Sequence, residues 1–348
     1  MDQNQPESND DDDIGDTIEV IPRRPLQDLM EEAAYYATGE DPTTYIEAMN
    51  GQNSLDWQKA MKLELNTLES QGTWTLVEAP KDRKILKGKW VYRTKPDGTF
   101  KARWVVKGFL QIYGLDYNET FANTVKPCAF RAIFARAASL DWEIDQLDIK
   151  CAYPNTPIDE KIYVRQPTGF EAKKGLVCKL NKALYSLKQS ARQWQQFLTT
   201  KLETIGFKPI PADQSIYIKD DIVIGAHIDD IFITAKTKAI IKDIKADLAQ
   251  TGLEISDLGP IKLFLGIYIS RNRAERSITL SQKGYIKKII DKFAPNAKPA
   301  ANPCQMGYRL EPNPEKATPE DIHLYQQQIG SLMYVMTQTR ADLAFPIR

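Results

Sequence analysis

Three aspartates carry the chemistry that this sequence offers. Asp229 and Asp230 stand side by side between two apolar runs, Ile222–Ile228 and Ile231–Ala235, and Asp148 closes the strand-like stretch Trp142–Ile149, 81 positions upstream of Asp229. Carboxylate oxygens are hard ligands, and a Mg²⁺ ion that keeps water and substrate phosphates in its shell needs only a few of them. Three aspartates on neighbouring strand ends therefore suit two cations, about 3.5–4 Å apart, that activate a hydroxyl and stabilise the leaving group of an in-line displacement. The Asp-Asp pair alone is a weak signal. Asp220-Asp221 and the run Asp10–Asp13 have the same composition, and a solvated hairpin tip uses such residues equally well. A third carboxylate of the same kind is what strengthens it.

Composition excludes several other chemistries. The chain has only two histidines, His227 and His323, and its four cysteines (Cys128, Cys151, Cys178, Cys304) include no Cys-x-x-Cys pair. Neither a zinc knuckle nor a His-Glu-x-x-His hydrolase can be assembled, and we expect the cysteines to be reduced core residues. A lone His227 beside the aspartate pair reads as packed rather than ligating. Net charge over the 348 residues is zero, yet residues 1–79 carry 18 Asp/Glu against 4 Lys/Arg and sum to −14, which leaves +14 for residues 80–348. Such asymmetry is expected when one part of a chain meets a polyanion. No apolar run is long enough to span a bilayer, and the acidic start, Met1–Asp16, is the reverse of a targeting signal. We expect an intracellular protein without membrane contact.

The elements that must position the aspartates can be read from periodicity and punctuation. Residues 1–42 form an acidic leader that we expect to be disordered apart from a short weak helix near Pro25–Ala37. Ser54–Ser70 is an amphipathic helix with Trp57, Ala60, Met61, Leu65 and Leu68 on one face, and it opens the folded body. Gly88–Arg93 and Phe100–Lys107 flank a Lys-Pro-Asp-Gly turn and form a hairpin. That hairpin is strongly basic, since Lys81–Lys107 holds ten Lys/Arg and two acids. Helices are expected at Ala129–Ser139, Ala191–Ile205, Lys238–Gln250, Gly284–Phe293 and Pro319–Thr337. A strand is expected at Trp142–Ile149, two short strands meet at Asp229-Asp230, and Ile261–Ser270 with Ser277–Leu280 forms a second hairpin. A Pro-rich connector covers Pro295–Pro314. Strands mixed with helices, without regular βαβ alternation, indicate an α+β fold.

Read in order, short blocks along the chain resemble the copia-type LTR retrotransposon reverse transcriptase, the RNA-dependent DNA polymerase part of a Pol polyprotein. They are Trp57 to Trp74, Lys89-Trp90-Val91, Lys101-Ala102-Arg103, Lys107-Gly108-Phe109, Tyr117 to Phe121, Gln146 to Lys150, Ala152-Tyr153, Gln166-Pro167 to Gly169-Phe170, Leu184-Tyr185 with Leu187-Lys188-Gln189, Ile228-Asp229-Asp230, Phe264-Leu265-Gly266, and Ile329 to Tyr334 with Thr339-Arg340. Each block is weak alone, but the ordered set over Trp57–Phe345 is specific. The resemblance implies a right-hand polymerase architecture with the palm β-sheet carrying the carboxylates. Fingers fall near 73–140, palm near 141–270 and a partial thumb from about 271, inside a domain of 73–315 that follows a linker helix region at 43–72. Residues 316–348 form a helix leading toward a ribonuclease H domain.

The resemblance also assigns roles. Asp148, Asp229 and Asp230 are the catalytic residues and hold two Mg²⁺ or Mn²⁺ ions. Lys101 and Arg103 on the fingers hairpin, Tyr153 as a steric gate against a 2′-hydroxyl, Tyr185 and Lys188 bind the dNTP. Leu265 and Gly266 match the primer grip. The partners implied are dNTPs and an RNA or DNA template with its primer. Ribonuclease H and integrase are expected to act in trans, because neither lies within this sequence.

Several positions depart from the family pattern: His227 for Tyr, Pro154 and Thr156 around Asn155, Ser186 for Gly, and Ala191 for Pro. None is a carboxylate, but they flank the site. They keep open an alternative reading, a catalytically inactive remnant that only binds nucleic acid. A third reading makes the acidic leader the functional part of an interaction protein.

Overall fold

The computed structural model describes residues 41–95, 97–300 and 316–347. The leader up to residue 40, Cys304 and the later part of the Pro-rich connector lie outside the described residues. The elements run α1 (Tyr45–Asn50), α2 (Ser54–Ser70), β1 (Trp74–Glu78), β2 (Ile85–Leu86), β3 (Gly88–Thr94), β4 (Phe100–Val106), α3 (Pro127–Ser139), β5 (Glu143–Ile149), β6 (Tyr163–Val164), β7 (Leu176–Leu180), α4 (Ser190–Thr204), β8 (Lys208–Ile210) and β9 (Asp213–Lys219). They continue with β10 (Ile222–His227), β11 (Asp230–Ala235), α5 (Lys238–Gln250), β12 (Ile255–Pro260), β13 (Leu263–Phe264), β14 (Ile267–Asn272), β15 (Ser277–Ser281), α6 (Lys283–Phe293), α7 (Pro319–Gln338) and α8 (Ala344–Ile347). The fold is α+β, as expected.

A six-stranded antiparallel sheet in the order β12-β5-β11-β10-β9-β8 organises the molecule. Because side chains alternate along a strand, its two faces can be assigned residue by residue. Leu147, Ile149, Ile224, Ala226, Ile231 and Ile233 face one core, which Trp194, Leu198 and Leu202 of α4 and Ile241, Ile244 and Leu248 of α5 complete. Ile144, Val223 and Phe232 face the other, with Phe130, Phe134 and Ala137 of α3 and Phe264, Ile267 and Ile269 of the β13-β14-β15 sheet. Both faces are covered, which is why the run around Asp229-Asp230 is mostly apolar instead of alternating. Gly225 stands opposite Phe232 across the β10–β11 pair, and a methyl group there would meet the Phe232 ring.

A separate core lies under α2. Trp57 packs edge-on against Tyr92 of β3 and Phe100 of β4, and the Tyr92 hydroxyl donates to the Met61 sulfur over 3.3 Å. The same cluster takes in Trp90, Ala102 and Trp104 of the β3–β4 hairpin, Leu86 of β2, Val164 of β6 and Leu180 of β7. The β1-β7-β6-β2 sheet was not foreseen, because two of its strands are only two residues long and show no period.

Two expectations are corrected. The arm Ile261–Ser270 is broken by a turn at Leu265-Gly266, where both residues take positive φ (49° and 72°), so the chain folds back and makes two strands of one. The cysteines are not uniformly core residues: Cys178 is buried, but Cys128 is exposed in the first turn of α3 and Cys151 is half-buried.

Candidate active site

The sheet register brings the distant carboxylates together. In the β5–β11 pair Asp148 stands directly opposite Asp230, and opposed residues of an antiparallel pair point to one face with Cβ atoms about 5 Å apart. That face is the one opposite helices α4 and α5. The β10–β11 connection is a two-residue turn, Ile228-Asp229, since His227 pairs with Asp230. Ile228 adopts φ 56°, an unfavourable conformation for a β-branched residue. Two hydrogen bonds hold it there. The Trp194 indole N–H of α4 donates to the Ile228 carbonyl (2.9 Å), and the Ile149 N–H of β5 donates to the Asp229 carbonyl (2.9 Å). The second bond ties the turn to the residue after Asp148.

The electrostatics are those of crowded acids. Burial and the neighbouring Asp229 push the Asp148 carboxyl above its ordinary range, against the pull of Lys101, Arg103 and Lys95. Asp230 is pushed up to about 6 by burial and by Asp229 and Asp148, while the Gln146 hydrogen bond and the adjacent His227 oppose the rise. The Gln146 amide reaches Asp230 Oδ1 at 3.3 Å from the same face of β5. His227 is buried, in keeping with a packed side chain. Among the described residues no group of three His, Cys, Asp or Glu side chains converges to hold one metal ion. The donor set itself, carboxylate oxygens only and mutually destabilised by like charge, fits a hard divalent cation.

The cations expected on the fingers face this cluster. Lys101 and Arg103 are half-buried on β4. Burial and then the charges of Arg103 and Lys95 hold the Lys101 ammonium below its usual range, opposed by Glu64 and Asp229. The Arg103 guanidinium lies 5.0 Å over the Tyr185 ring, whose centroid is 5.6 Å from that of Tyr153. The Val106 N–H donates to the Tyr185 carbonyl (3.1 Å), so the end of β4 is anchored to the 184–190 segment. Tyr153 heads a 3₁₀ turn, Tyr153–Asn155, just beyond β5.

Other expected residues sit elsewhere. Lys188 points to the Tyr117 ring at 5.5 Å, with its backbone N–H donating to Gln111 Oε1 (2.8 Å). Leu265 and Gly266 form the β13–β14 turn; Leu265 packs against the α3 side of the sheet, and its carbonyl accepts from the Tyr334 hydroxyl of α7.

Sequence reasoning passed over three sets of residues. Gln146 lies inside a quoted block but drew no attention. The buried amides Gln111 and Gln189 bond to each other (3.0 Å), and Gln189 reaches the Asp116 carbonyl (2.8 Å), knitting the loop after β4 to the 184–190 segment. The third is Glu64 of α2, whose Oε1 is buried without a hydrogen-bond partner. Its signal was present, because Glu64 falls on the helical stripe of Trp57, Met61 and Leu68 where an apolar residue is expected.

The family model described as reverse transcriptase (RNA-dependent DNA polymerase) matches residues 71–306. The chain is 38% identical over 325 residues to the retrovirus-related Pol polyprotein from transposon TNT 1-94 of Nicotiana tabacum, covering 88% of this chain and 24% of that protein. It is 32% identical over 328 residues to the Pol polyprotein from transposon RE2 of Arabidopsis thaliana, covering 90% and 22%. The chain thus spans less than a quarter of the length of these curated relatives. Among solved structures, a foamy viral protease-reverse transcriptase in complex with double-stranded DNA aligns with a TM-score of 0.45 and 14% identity, over 83% of this chain and 42% of that one.

Proposed function

The chain belongs to the reverse transcriptase (RNA-dependent DNA polymerase) family, in its copia-type retrotransposon branch, and on that premise we propose that it extends a primer on an RNA or DNA template with Asp148, Asp229 and Asp230 as its catalytic carboxylates. The observation that carries this reading is the β5–β11 register, which sets Asp148 opposite Asp230 and ties the Asp229 turn to β5.

Asp148, Asp229 and Asp230 would hold two Mg²⁺ or Mn²⁺ ions. When bound, such ions lower the pKa of the attacking 3′-hydroxyl and neutralise charge on the leaving pyrophosphate. Gln146 orients Asp230, and the Trp194 bond to Ile228 keeps the turn in its strained form, so the acids are presented without rearrangement. Lys101 and Arg103 take up the triphosphate charge, which charge-assisted hydrogen bonds favour. Tyr185, stacked under Arg103, limits the directions that guanidinium can point. Tyr153 lies beside it, where a bulky ring would exclude a 2′-hydroxyl. Lys188 would serve the nucleotide pocket and the template path, and Leu265-Gly266 the primer.

Primer extension with Mg²⁺ or Mn²⁺ tests the reading. Asp229→Asn is expected to lower kcat by about a thousandfold or more, because several kcal/mol of transition-state stabilisation pass through these ligands. Incorporation that survives Asp229→Asn, or that is absent from folded wild type, overturns it.

A second reading, binding without turnover, is favoured by Ser186. The residue takes φ 67°, the left-handed region where glycine, the family's usual residue there, is at ease. Folded protein that binds primer-template with an affinity falling steeply in salt, yet incorporates nothing until Ser186→Gly, would support it.

A further inference from the structure

We propose that Glu64 is a positioning residue that aims Arg103 and Lys101 at the triphosphate of the incoming nucleotide, a role that rests on the polymerase reading. Helix α2 packs along β4, and Glu64 is its one carboxylate on the stripe otherwise formed by Trp57, Ala60, Met61, Leu65 and Leu68. Glu64 Oε1 and Arg103 Nε are both buried without a hydrogen-bond partner. One carboxylate oxygen and one guanidinium N–H left so where α2 meets β4 are a costly arrangement for stability alone.

The surrounding charges explain what the arrangement does. Burial pushes the Glu64 carboxyl up to about 6, opposed by Arg103, the Trp104 backbone N–H and Lys101. On the other side, Glu64 and Asp229 are the two groups that support the charge of Lys101 against burial and the repulsion of Arg103 and Lys95. Two like cations two residues apart on one strand face repel each other. A fixed anion behind them lowers that repulsion and holds both in place, while the Tyr185 ring, 5.0 Å from the guanidinium, closes off a second direction. With Glu64 on the α2 side and Tyr185 at the side, the open side is that of Asp148, whose charge both cations feel, and of Asp229, whose charge Lys101 feels. Glu64 itself touches no reacting atom.

The test is a double-mutant cycle in the full 348-residue chain, read by dNTP kinetics in primer extension and by equilibrium binding of dATP through tryptophan fluorescence. Glu64→Gln keeps the shape and the acceptor for the Trp104 N–H but removes the charge. It is expected to raise the dNTP KM about tenfold and to change kcat less, and to add less than about twofold when Arg103 is already Ala. An unchanged KM, or effects that multiply fully in the double variant, overturns the proposal. Should Glu64→Gln fail to fold, Glu64→Asp, which keeps the charge but draws it back, is expected to raise KM about threefold; an unaltered KM again overturns it. The two readings separate in the binding arm. Wild type that binds dATP but incorporates none, with binding weakened about tenfold by Glu64→Gln, removes the polymerase reading and keeps the positioning role. Wild type that neither incorporates nor binds dATP removes both.

Discussion

At the residue scale, the site is built from groups held where they would not settle alone. Asp230 is driven toward protonation by burial and two like charges, Ile228 is kept at positive φ by the Trp194 and Ile149 bonds, and Glu64 is a carboxylate in an apolar stripe. Ser186 is a fourth such group. A non-glycine residue in the left-handed region costs about 1–2 kcal/mol, part of which glycine returns through its greater freedom when unfolded, about 0.5–1 kcal/mol. Ser186→Gly is therefore expected to stabilise the protein by about 0.5–1 kcal/mol, measured by denaturant unfolding. A midpoint that stays put or falls would show that the Ser186 side chain contributes more than its strain costs. The neighbouring Gly108 is constrained from the opposite direction: a methyl group there meets the Ser186 carbonyl.

At the element scale, the β10–β11 hairpin does two jobs that compete for the same residues. Its tip presents the aspartates, and its body is the spine between two cores. Gly225 makes the second job possible, because Phe232 lies across it and packs edge-on with Phe134 (5.1 Å) and Phe264 (5.4 Å). Gly225→Ala pushes against a fully buried ring that has no free end to move. A loss of about 1–3 kcal/mol is expected from such overpacking, and because the hairpin shifts as a unit, primer extension should fall in the same variant. Full activity with full loss of stability would separate the spine from the tip. Sequence periodicity found this hairpin, the β3–β4 hairpin and helix α5 almost to the residue, since each is long and evenly patterned. It did not find β2 and β6, where two residues cannot show a period, it passed over β1, β7, β8, β9 and β12 as well, and it missed the Leu265-Gly266 turn, where apolar residues continue through a reversal.

At the scale of the whole molecule, an ion cluster on the α5 side of the main sheet clamps α5 to the edge strand β12 and its neighbour β5. Lys245 bridges Asp145 of β5 (2.5 Å) and Asp257 of β12 (2.6 Å), with the Lys245 and Asp145 side chains each 11% exposed. Removing the cation leaves a buried carboxylate without its counter-charge, so Lys245→Ala is expected to cost about 3–5 kcal/mol. The pH dependence follows from the direction of each shift. Burial draws the Lys245 ammonium down, but its bonds to Asp145 and Asp257 carry it above 10.5, so its contribution is complete at neutral pH and fades only as pH rises through that raised value. Asp257 is pushed up by burial and pulled further down by Lys245 and the Gly259 N–H, to below 3.8. Its contribution is present above 3.8 and lost as pH falls through the lower folded value. The stability gap between wild type and Asp257→Asn should thus be level from neutral pH to about 4 and close below it. A gap that closes nearer pH 6 would assign the clamp to a different acid.

The sequence by itself determined the reagents and most of the parts: three aspartates at strand ends, two basic residues on a hairpin face, a near absence of histidine, and the long helices and strands that carry them. It also determined the family, through blocks whose order matters more than any one of them. Only the tertiary structure decided which strands are neighbours. A period of two fixes which face a side chain takes but says nothing about the strand it will meet, so the pairing of Asp148 with Asp230 is settled by register across the sheet. Glu64 shows the same limit. Its place in an apolar stripe is local and legible, whereas its partners, Arg103 and Lys101, are supplied by a strand that only packing brings alongside.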